Sequence, residues 1–484
     1  ERIAKKLGLT DVGLPEFSSK KNQLRKKEFQ SYIHDVNAFE INSLKIDCDR
    51  DCRITIDSKL SETIREIAAK NLITLRNKNV RHAAIVVLKF PENEILAMIG
   101  SPNPASSVSG NQINMAVKPR PIGSTVKPFI YTKAFEKKLR AYTLVEDKEY
   151  KYTTADGFAF YPKNYDEKHY GMINLHYALS NSLNIPTVKV LEFVGLENFY
   201  KFLEKDLEFA PVQNLNKYQL GIALGQLEMS LLQLSYYFSI FAQEGRLLPL
   251  SVGTDLPINQ AVNSVDKRIF PPQFVQLTNQ ILTDRSTSID QFSLLSNLNT
   301  SSKTVALKTG TSREYHDSWV IGYTPDFLVG VWVGNAENTP MKEVSGQVGA
   351  GKIWHEVINL MLNSKYNHQS IFPTNLIREF PDGENLEYGL LDDNFEQLKN
   401  ILVKGENALI TSPHDGDIFL LNDDMKIFLK AREIVRWFQD GELLEESEKF
   451  IFAPKESGAF TFQAIAGNGE KAEITLMVEE GFGK

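Results

Sequence analysis

Cysteine is nearly missing from the chain: it occurs twice in 484 residues, in Cys48-Asp49-Arg50-Asp51-Cys52. That excludes a disulfide-rich scaffold and leaves too few thiolates for a structural zinc site. The pair is close enough in sequence to form a small disulfide, but geometry decides that and spacing does not. Histidine is also scarce, with eight residues and none in a His-Glu-x-x-His or other metal-ligating spacing, which sets hydrolytic zinc chemistry aside. His316 beside Asp317 reads as a loop imidazole. Neither Gly-rich phosphate-loop pattern occurs, so ATP and NAD chemistry drop out, and Gly221-Ile222-Ala223-Leu224-Gly225 reads as close helix packing. The most apolar stretch, residues 218–243, carries Glu228 and many Ser, Gln and Tyr. It falls short of the roughly 18 apolar residues of a membrane span and reads as a buried core helix.

A basic excess is lacking too. The chain has 54 Lys and Arg against 61 Asp and Glu, a net charge of −7, and residues 401–484 alone hold nine basic and sixteen acidic side chains. The rest is neutral, so no nucleic-acid footprint is present and the acidic excess belongs to a C-terminal unit. What remains is an ordinary globular composition, 42% hydrophobic and 10% aromatic, long enough for two to four domains at roughly 100–200 residues each.

The polar first fifty residues read as a linker or the tail of an upstream unit, and the start at Glu1, with no apolar signal region after it, implies either that an upstream part was removed or that the chain is a fragment. An Asp/Ser start before residues 60–75 predicts a helix with apolar residues at 3.6-residue spacing. Residues 83–88 and 94–100, separated by Pro91-Glu92-Asn93, predict a hairpin. Helical patterns dominate 125–245, broken by a turn-rich insert at 153–170, and strands return at 305–307, 318–322 and 327–334. Strands, then helices, then strands predict an α+β domain whose central sheet draws on both ends of the chain. A polar connector follows, and six short runs after it, at 408–412, 418–421, 427–431, 434–438, 461–465 and 473–478, predict a small all-β sandwich. Trp437, Phe460 and Phe462 read as its core.

Gly123-Ser124-Thr125-Val126-Lys127-Pro128-Phe129 places a hydroxyl and an amine three residues apart at a helix start. On one helix face, the amine can take the proton of the hydroxyl as it attacks a carbonyl. Alone this is weak, since Ser18/Lys21 and Ser264/Lys267 share the spacing. Its company strengthens it: Ser182-Leu183-Asn184 supplies a second hydroxyl and an amide, and Lys308-Thr309-Gly310-Thr311 ends a β run. Ser-x-Asn is common in this chain, as Ser101/Asn103 and Ser109/Asn111 show, but Lys-Thr-Gly occurs once and the three occur in order.

This ordered triplet resembles that of the serine penicillin-recognising enzymes, and the separations of 58 and 126 residues are similar to those of penicillin-binding protein transpeptidase domains. The resemblance runs over about residues 53–362, through the segment around Ser124, Tyr161-Pro162-Lys163-Asn164-Tyr165-Asp166, residues 178–186, 220–230 and 308–322, and Val331-Trp332-Val333-Gly334. Ile122 departs from it, standing where small turn formers are common. Ile410-Thr411-Ser412-Pro413-His414-Asp415-Gly416 and residues 435–441 resemble the C-terminal domain of bifunctional penicillin-binding proteins of the 1C type, whose glycosyltransferase and membrane anchor are not recognisable in this chain.

The resemblance implies a penicillin-recognising fold, with a central antiparallel sheet flanked by helices and an immunoglobulin-like sandwich behind it. Its units would be a linker or tail over 1–52, a transpeptidase domain over 53–365, a connector over 366–404 and the sandwich over 405–484. It implies a D,D-transpeptidase on the periplasmic side of the inner membrane, anchored only through an absent upstream segment, acting on peptidoglycan stem peptides and acylated by β-lactams. Ser124 would be the nucleophile and Lys127 its base, with Ser182 relaying a proton, Asn184 holding the peptide, and Lys308, Thr309 and Thr311 binding a carboxylate. Gly310 would keep the strand open to substrate. Cofactor and metal would both be absent, and a cell-wall protein is a candidate partner of the sandwich. A D,D-carboxypeptidase or a β-lactamase would use the same motifs, the latter with a deacylating Glu that is not evident; a low-turnover binding or sensory module is the reading from another class.

Overall fold

The computed structural model describes residues 38–44, 54–149, 152–153, 159–160, 162–253, 266–293, 296–300, 302, 304–383, 385–406, 409–413, 415, 417–421 and 425–480. Cys48 and Cys52, and with them the question of a disulfide, lie outside these residues.

Five antiparallel strands make the central sheet: β1 (His82–Lys89), β2 (Glu94–Ile99), β3 (Ala306–Thr311), β4 (Asp317–Tyr323) and β5 (Phe327–Gly334), in the order β3-β4-β5-β1-β2. The late strands thus add to the early hairpin through β1–β5 pairing, with His82 opposite Gly334 and Lys89 opposite Phe327. Both faces are covered, which is why β1 reads as a continuous apolar run instead of an alternating one. Ala84, Val86 and Leu88 enter one core, and Ala83, Ile85 and Val87 enter the other.

The second core is closed by α2 (Ser58–Leu75) and α8 (Ala350–Leu362), through Ile64, Ala68, Ile353, Trp354 and Val357. Asp57 caps α2 by accepting Leu60 N–H at 3.0 Å, the role its sequence position predicts. On the other face lie α3 (Lys127–Glu136), α4 (Leu175–Ser180), α5 (Asn184–Val194), α6 (Leu231–Ala242) and α7 (Pro272–Thr283). Phe129 of α3 meets Phe238 of α6 edge to face, with ring centroids 5.4 Å apart. Each such fully buried side chain contributes roughly 1.5–3 kcal/mol, and Phe238→Ala would open a cavity between the two helices.

Three sequence expectations are revised. Residues 218–243 are not one helix: a 3-10 segment, Gln219–Leu224, ends at Gly225 (φ +73°), Glu228–Met229 pairs with Arg120–Pro121, and α6 starts only after a capping box of Ser230 and Gln233. The helix α1 (Ala38–Ser43), inside the stretch read as a linker, packs on the domain. Its Glu40 is fully buried, 3.0 Å from Arg65 Nη2, and it accepts Gly100 N–H at 3.0 Å. The polar connector is folded as well. It holds a hairpin of β6 (Ile377–Asp382) and β7 (Asn385–Leu390) and two short helices, Phe395–Lys399 and Ile401–Glu406. Phe380, Phe395 and Leu398 pack with Tyr142 of the main body.

The C-terminal strands are β8 (Ile410–Ser412), β9 (Ile418–Leu421), β10 (Ile427–Gln439), β11 (Glu442–Phe452), β12 (Gly458–Ala466) and β13 (Lys471–Glu480). They form one hydrogen-bonded sheet in the order β8-β10-β12-β13-β9, with β11 along β10. The runs 427–431 and 434–438 are a single strand whose register shifts between Lys430 and Val435. Its first half pairs with β8 and its second with β12, so both halves face one core containing Trp437, Phe462, Leu429 and Leu476. β11 is a strand that the sequence reading lacks. Among the described residues no helix is long and apolar enough to cross a membrane.

Candidate active site

The Ser124 segment is a 3-10 turn, Gly123–Val126, running directly into α3. Ser124 is half-buried and Lys127 fully buried. Gly123 has φ +57°, and a Cβ there would fall 2.6 Å from the Thr311 carbonyl oxygen and 2.8 Å from its nitrogen. Only glycine allows this turn to lie against β3. Because β3 pairs with β4 alone, it is an edge strand, and the nucleophile segment sits against its last residues. Ile122, the departure from the common pattern, is a core residue whose N–H bonds Leu227 O at 3.0 Å.

The second motif follows α4. Ser182 N–H bonds Leu179 O at 3.1 Å and Leu183 N–H bonds Ala178 O at 2.9 Å, which ends the helix with Ser182 at φ 56°. A non-glycine residue in the left-handed region is held there by its surroundings. Here the holder is Lys127, whose Nζ donates to Ser182 O (2.6 Å), Leu183 O (3.1 Å) and Asn184 Oδ1 (2.7 Å). Three acceptors match the three protons of an ammonium, so the neutral amine keeps two of these bonds and releases the third to turn its lone pair to Ser124. Burial, and then the charge of Lys308, hold this amine well below the usual lysine range.

Lys308 donates to Ser182 Oγ at 2.6 Å and to Thr309 O at 3.3 Å. Burial and the nearby Arg285 lower its pKa to about 7. Arg285, at the end of α7, is itself pushed down to about 10 by burial. Among the described residues its Nε and Nη1 find no hydrogen-bond partner. The structure therefore brings Ser182, Asn184, Lys127 and Lys308 into direct contact, with Ser124 one helical turn from Lys127.

Thr309 and Thr311 alternate to the other side of β3 from Lys308. Thr309 borders Gly346, and Thr311 Oγ1 accepts Gly346 N–H at 3.0 Å. A Cβ on Gly310 would lie 2.5 Å from Ile122 O and 2.9 Å from Thr125 Cγ2, so its smallness lets the nucleophile segment lie against β3.

Several supporting residues escape sequence reasoning. Asn164 accepts Asn184 N–H at 2.8 Å, and its own amide donates to both carboxylate oxygens of the fully buried Asp147, at 3.0 and 2.8 Å. Asn164 lies in a segment the sequence flags, whereas Asp147 has no local signal at all. Asp317, noted in the sequence only as the neighbour of His316, is fully buried and accepts Trp332 Nε1 (2.9 Å) and Ser312 Oγ (2.8 Å), fixing the turn after the third motif. Tyr165, next to Asn164, and Tyr315, in the turn after the third motif, meet hydroxyl to hydroxyl at 3.3 Å.

Residues 83–358 match the family described as penicillin binding protein transpeptidase domain. The chain is 28% identical over 333 residues to penicillin-binding protein 1A of Aquifex aeolicus, covering 68% of this chain and 44% of that protein. It is 25% identical over 342 residues to penicillin-binding protein 1C of Escherichia coli, covering 69% and 42%. The chain thus spans about two fifths of the length of these relatives. The crystal structure of penicillin-binding protein 1A from Haemophilus influenzae shares the fold, with TM-score 0.54 and 20% identity over 64% of this chain and 53% of that one. With more than half of its length matched, and the three motifs of its sequence gathered at one sheet edge, the chain belongs to the penicillin-binding protein transpeptidase family.

Proposed function

We propose that the chain is a peptidoglycan D,D-transpeptidase working through a Ser124 acyl-enzyme. The observation that carries this reading is the buried pair of amines: Lys127 on the second motif and Lys308 on Ser182 Oγ, beside a nucleophile turn pressed against β3. Neutral Lys127 takes the Ser124 hydroxyl proton as Oγ bonds to the penultimate D-Ala carbonyl carbon. The oxyanion is held by the backbone N–H groups of Ser124 and Thr311. The C–N bond then breaks, and the leaving D-Ala nitrogen takes its proton from Ser182. That hydroxyl accepts from Lys308, so its own O–H is free to donate and is replenished from the amine. The acyl group then passes to an acceptor amine, whose proton returns to Ser182 and Lys308 as the new amide bond forms, and Lys127 gives its proton back to Ser124 Oγ as the ester C–O bond breaks.

Thr311 Oγ1 accepts from Gly346 N–H, leaving its proton for the terminal carboxylate alongside Thr309, with the charge of Lys308 acting from the other side of the strand. Asn184, steadied by Asn164 and by Lys163 O at 2.6 Å, holds the peptide. Stem peptides are the substrates and β-lactams the covalent inhibitors, on the periplasmic side of the inner membrane.

The test is covalent labelling by a fluorescent penicillin, with Ser124→Ala and, as a control, Ser264→Ala. Loss of label in S124A alone supports the reading, and label retained in S124A sinks it. Amine transfer against hydrolysis of a D-Ala-D-Ala peptide then separates transpeptidase from carboxypeptidase.

A further inference from the structure

Two buried groups, His176 and Glu387, and the half-buried Asp284 lie behind the second motif and have no part in this chemistry. His176 of α4 has carboxylates at both ring nitrogens, supplied by distant parts of the chain: Glu387 Oε2 of β7 lies 2.9 Å from Nδ1, and Asp284 Oδ2 at the end of α7 lies 3.2 Å from Nε2. Glu387 is 6% exposed and also accepts Asn174 Nδ2 at 2.7 Å. Asp284 shapes the turn after α7 by accepting Ser286 N–H (2.8 Å) and Thr287 Oγ1 (2.6 Å). The Thr287 carbonyl accepts Asn181 Nδ2 at 2.9 Å, and Asn181 immediately precedes Ser182. Arg285, whose charge bears on Lys308, belongs to the same turn.

We propose that Glu387 is a positioning residue of the active site: through His176 and Asp284 it fixes the 284–287 turn that holds Asn181, and so sets Ser182 against Lys308. The inference rests on the roles given to Ser124, Ser182 and Lys308 above. It makes the connector hairpin, which lies beyond the family match at 83–358, part of the site's support.

Charge keeps the chain of contacts closed at neutral pH. As an imidazolium His176 is hydrogen-bonded through Nδ1 to Glu387 and faces Asp284 through Nε2 as an ion pair at 3.2 Å without hydrogen-bond geometry, so loss of its charge weakens the Asp284 link. Burial alone would lower the pKa of His176, but Asp284 and Glu387 outweigh it and hold it at about 9. The other charged or titratable groups facing the trio are Arg285, next to Asp284, and Tyr388 of β7, on which Asp284 and Glu387 act. Deprotonation of His176 should therefore loosen the Ser182 support as pH rises.

The experiment measures the second-order rate of acylation by a fluorescent penicillin on the full chain from about pH 6 to 10, with thermal melts to confirm folding at the assay temperature. Glu387→Gln is expected to acylate about tenfold more slowly at neutral pH, since small misplacements of a catalytic group cost that much or more. The alkaline step that lies above the Lys308 titration near 7 should begin about one pH unit lower, because His176 has lost a carboxylate. Its loss should be non-additive with that of Asn181→Ala, the signature of one connected network. A folded E387Q with wild-type rate and alkaline midpoint, altered only in its melt, overturns the inference and leaves Glu387 a stability residue. If E387Q does not fold, His176→Gln is read in its place, and an unchanged alkaline limb overturns the inference. The wild type and S124A keep the two readings apart. A wild type that does not label, or an S124A that does, overturns the proposed function and this inference with it. Label confined to proteins with Ser124 upholds the former, whatever E387Q shows.

Discussion

Gly225 stands so close to Gly123 that a methyl group on its α-carbon would fall 1.7 Å from the Gly123 carbonyl oxygen. The two are joined by Gly123 N–H to Gly225 O at 2.9 Å, so the turn that ends the 3-10 segment is a wall of the nucleophile turn. Gly225 also has φ +73°. Gly225→Ala should therefore carry both the roughly 1–2 kcal/mol of a left-handed non-glycine residue and a displacement of Ser124. Gly383 has φ +66° with nothing within 4 Å of a new Cβ, so Gly383→Ala should carry only the first. Penicillin labelling at matched folded fraction separates them: a large loss in G225A and none in G383A is expected, and equal labelling would mean that Gly225 does not shape the site.

Lys308 is a buried cation kept at a cost to stability. Its pKa is about 7 in the folded protein against roughly 10.4 in an unfolded chain. Between those values the unfolded chain binds more protons, so stability rises with pH across that window and the full penalty is present below about 7. Lys308→Met should be more stable than the wild type at pH 7 by about 1–3 kcal/mol and show a shallower rise on the alkaline side. The residual slope combines Lys127, shifted in the same direction, with His176, whose raised pKa of about 9 acts with the opposite sign above about 6.5. Acylation should fall by about a hundredfold or more in the same variant. A K308M protein that melts below the wild type at neutral pH would contradict this.

How much of this is legible in the sequence depends on where each residue finds its partner. The sheet and α2 follow from apolar periodicity and a cap, because both are local signals. The cluster around Ser124, Ser182 and Lys308 follows from motif order. What stays hidden is long-range or exposed. Asp147 becomes a support only through Asn164, and Glu387 only through His176. The strand β11 is mostly exposed and acidic on both faces, so no alternation marks it. The connector looks like a linker because part of what holds it comes from the distant main body, as with Gln276 Oε1 accepting Leu376 N–H at 2.9 Å. The left-handed Ser182 leaves no trace in composition, since serine carries no signal for positive φ.

The connector's attachment can be measured at one ion pair. Asp393 Oδ2 lies 2.6 Å from Arg140 Nε and also accepts Tyr142 OH at 3.1 Å and Leu390 N–H at 2.7 Å. Both charged side chains are under a tenth exposed. Asp393→Ala leaves the guanidinium buried without its carboxylate and should destabilise the main body by about 3–5 kcal/mol. A free linker would tolerate the change within about 0.5 kcal/mol. Chemical denaturation followed by tryptophan fluorescence distinguishes the two, since Trp319, Trp332 and Trp354 all report on the main body.

The C-terminal sheet docks beside Glu197. Lys201 Nζ meets Glu479 at 2.7 Å and Lys137 Nζ lies 4.0 Å from Asp417 Oδ1. Burial, with Asp417 adding to it, pushes the Glu197 carboxyl up to about 7. A carboxyl raised above its unfolded value takes up a proton on docking, so the docked state gains stability as pH falls from about 7 towards 4.3 and loses it as pH rises. Glu197→Gln keeps the volume and removes the titration. It should stabilise docking at pH 7.5 by about 1 kcal/mol and flatten the pH dependence between about 4.5 and 7. Differential scanning calorimetry across that range reads both effects. If the wild-type slope persists in E197Q, the proton is taken up elsewhere in the interface. If the slope disappears but the neutral-pH melt is unchanged, burial of the Gln amide costs as much as burial of the carboxylate it replaces.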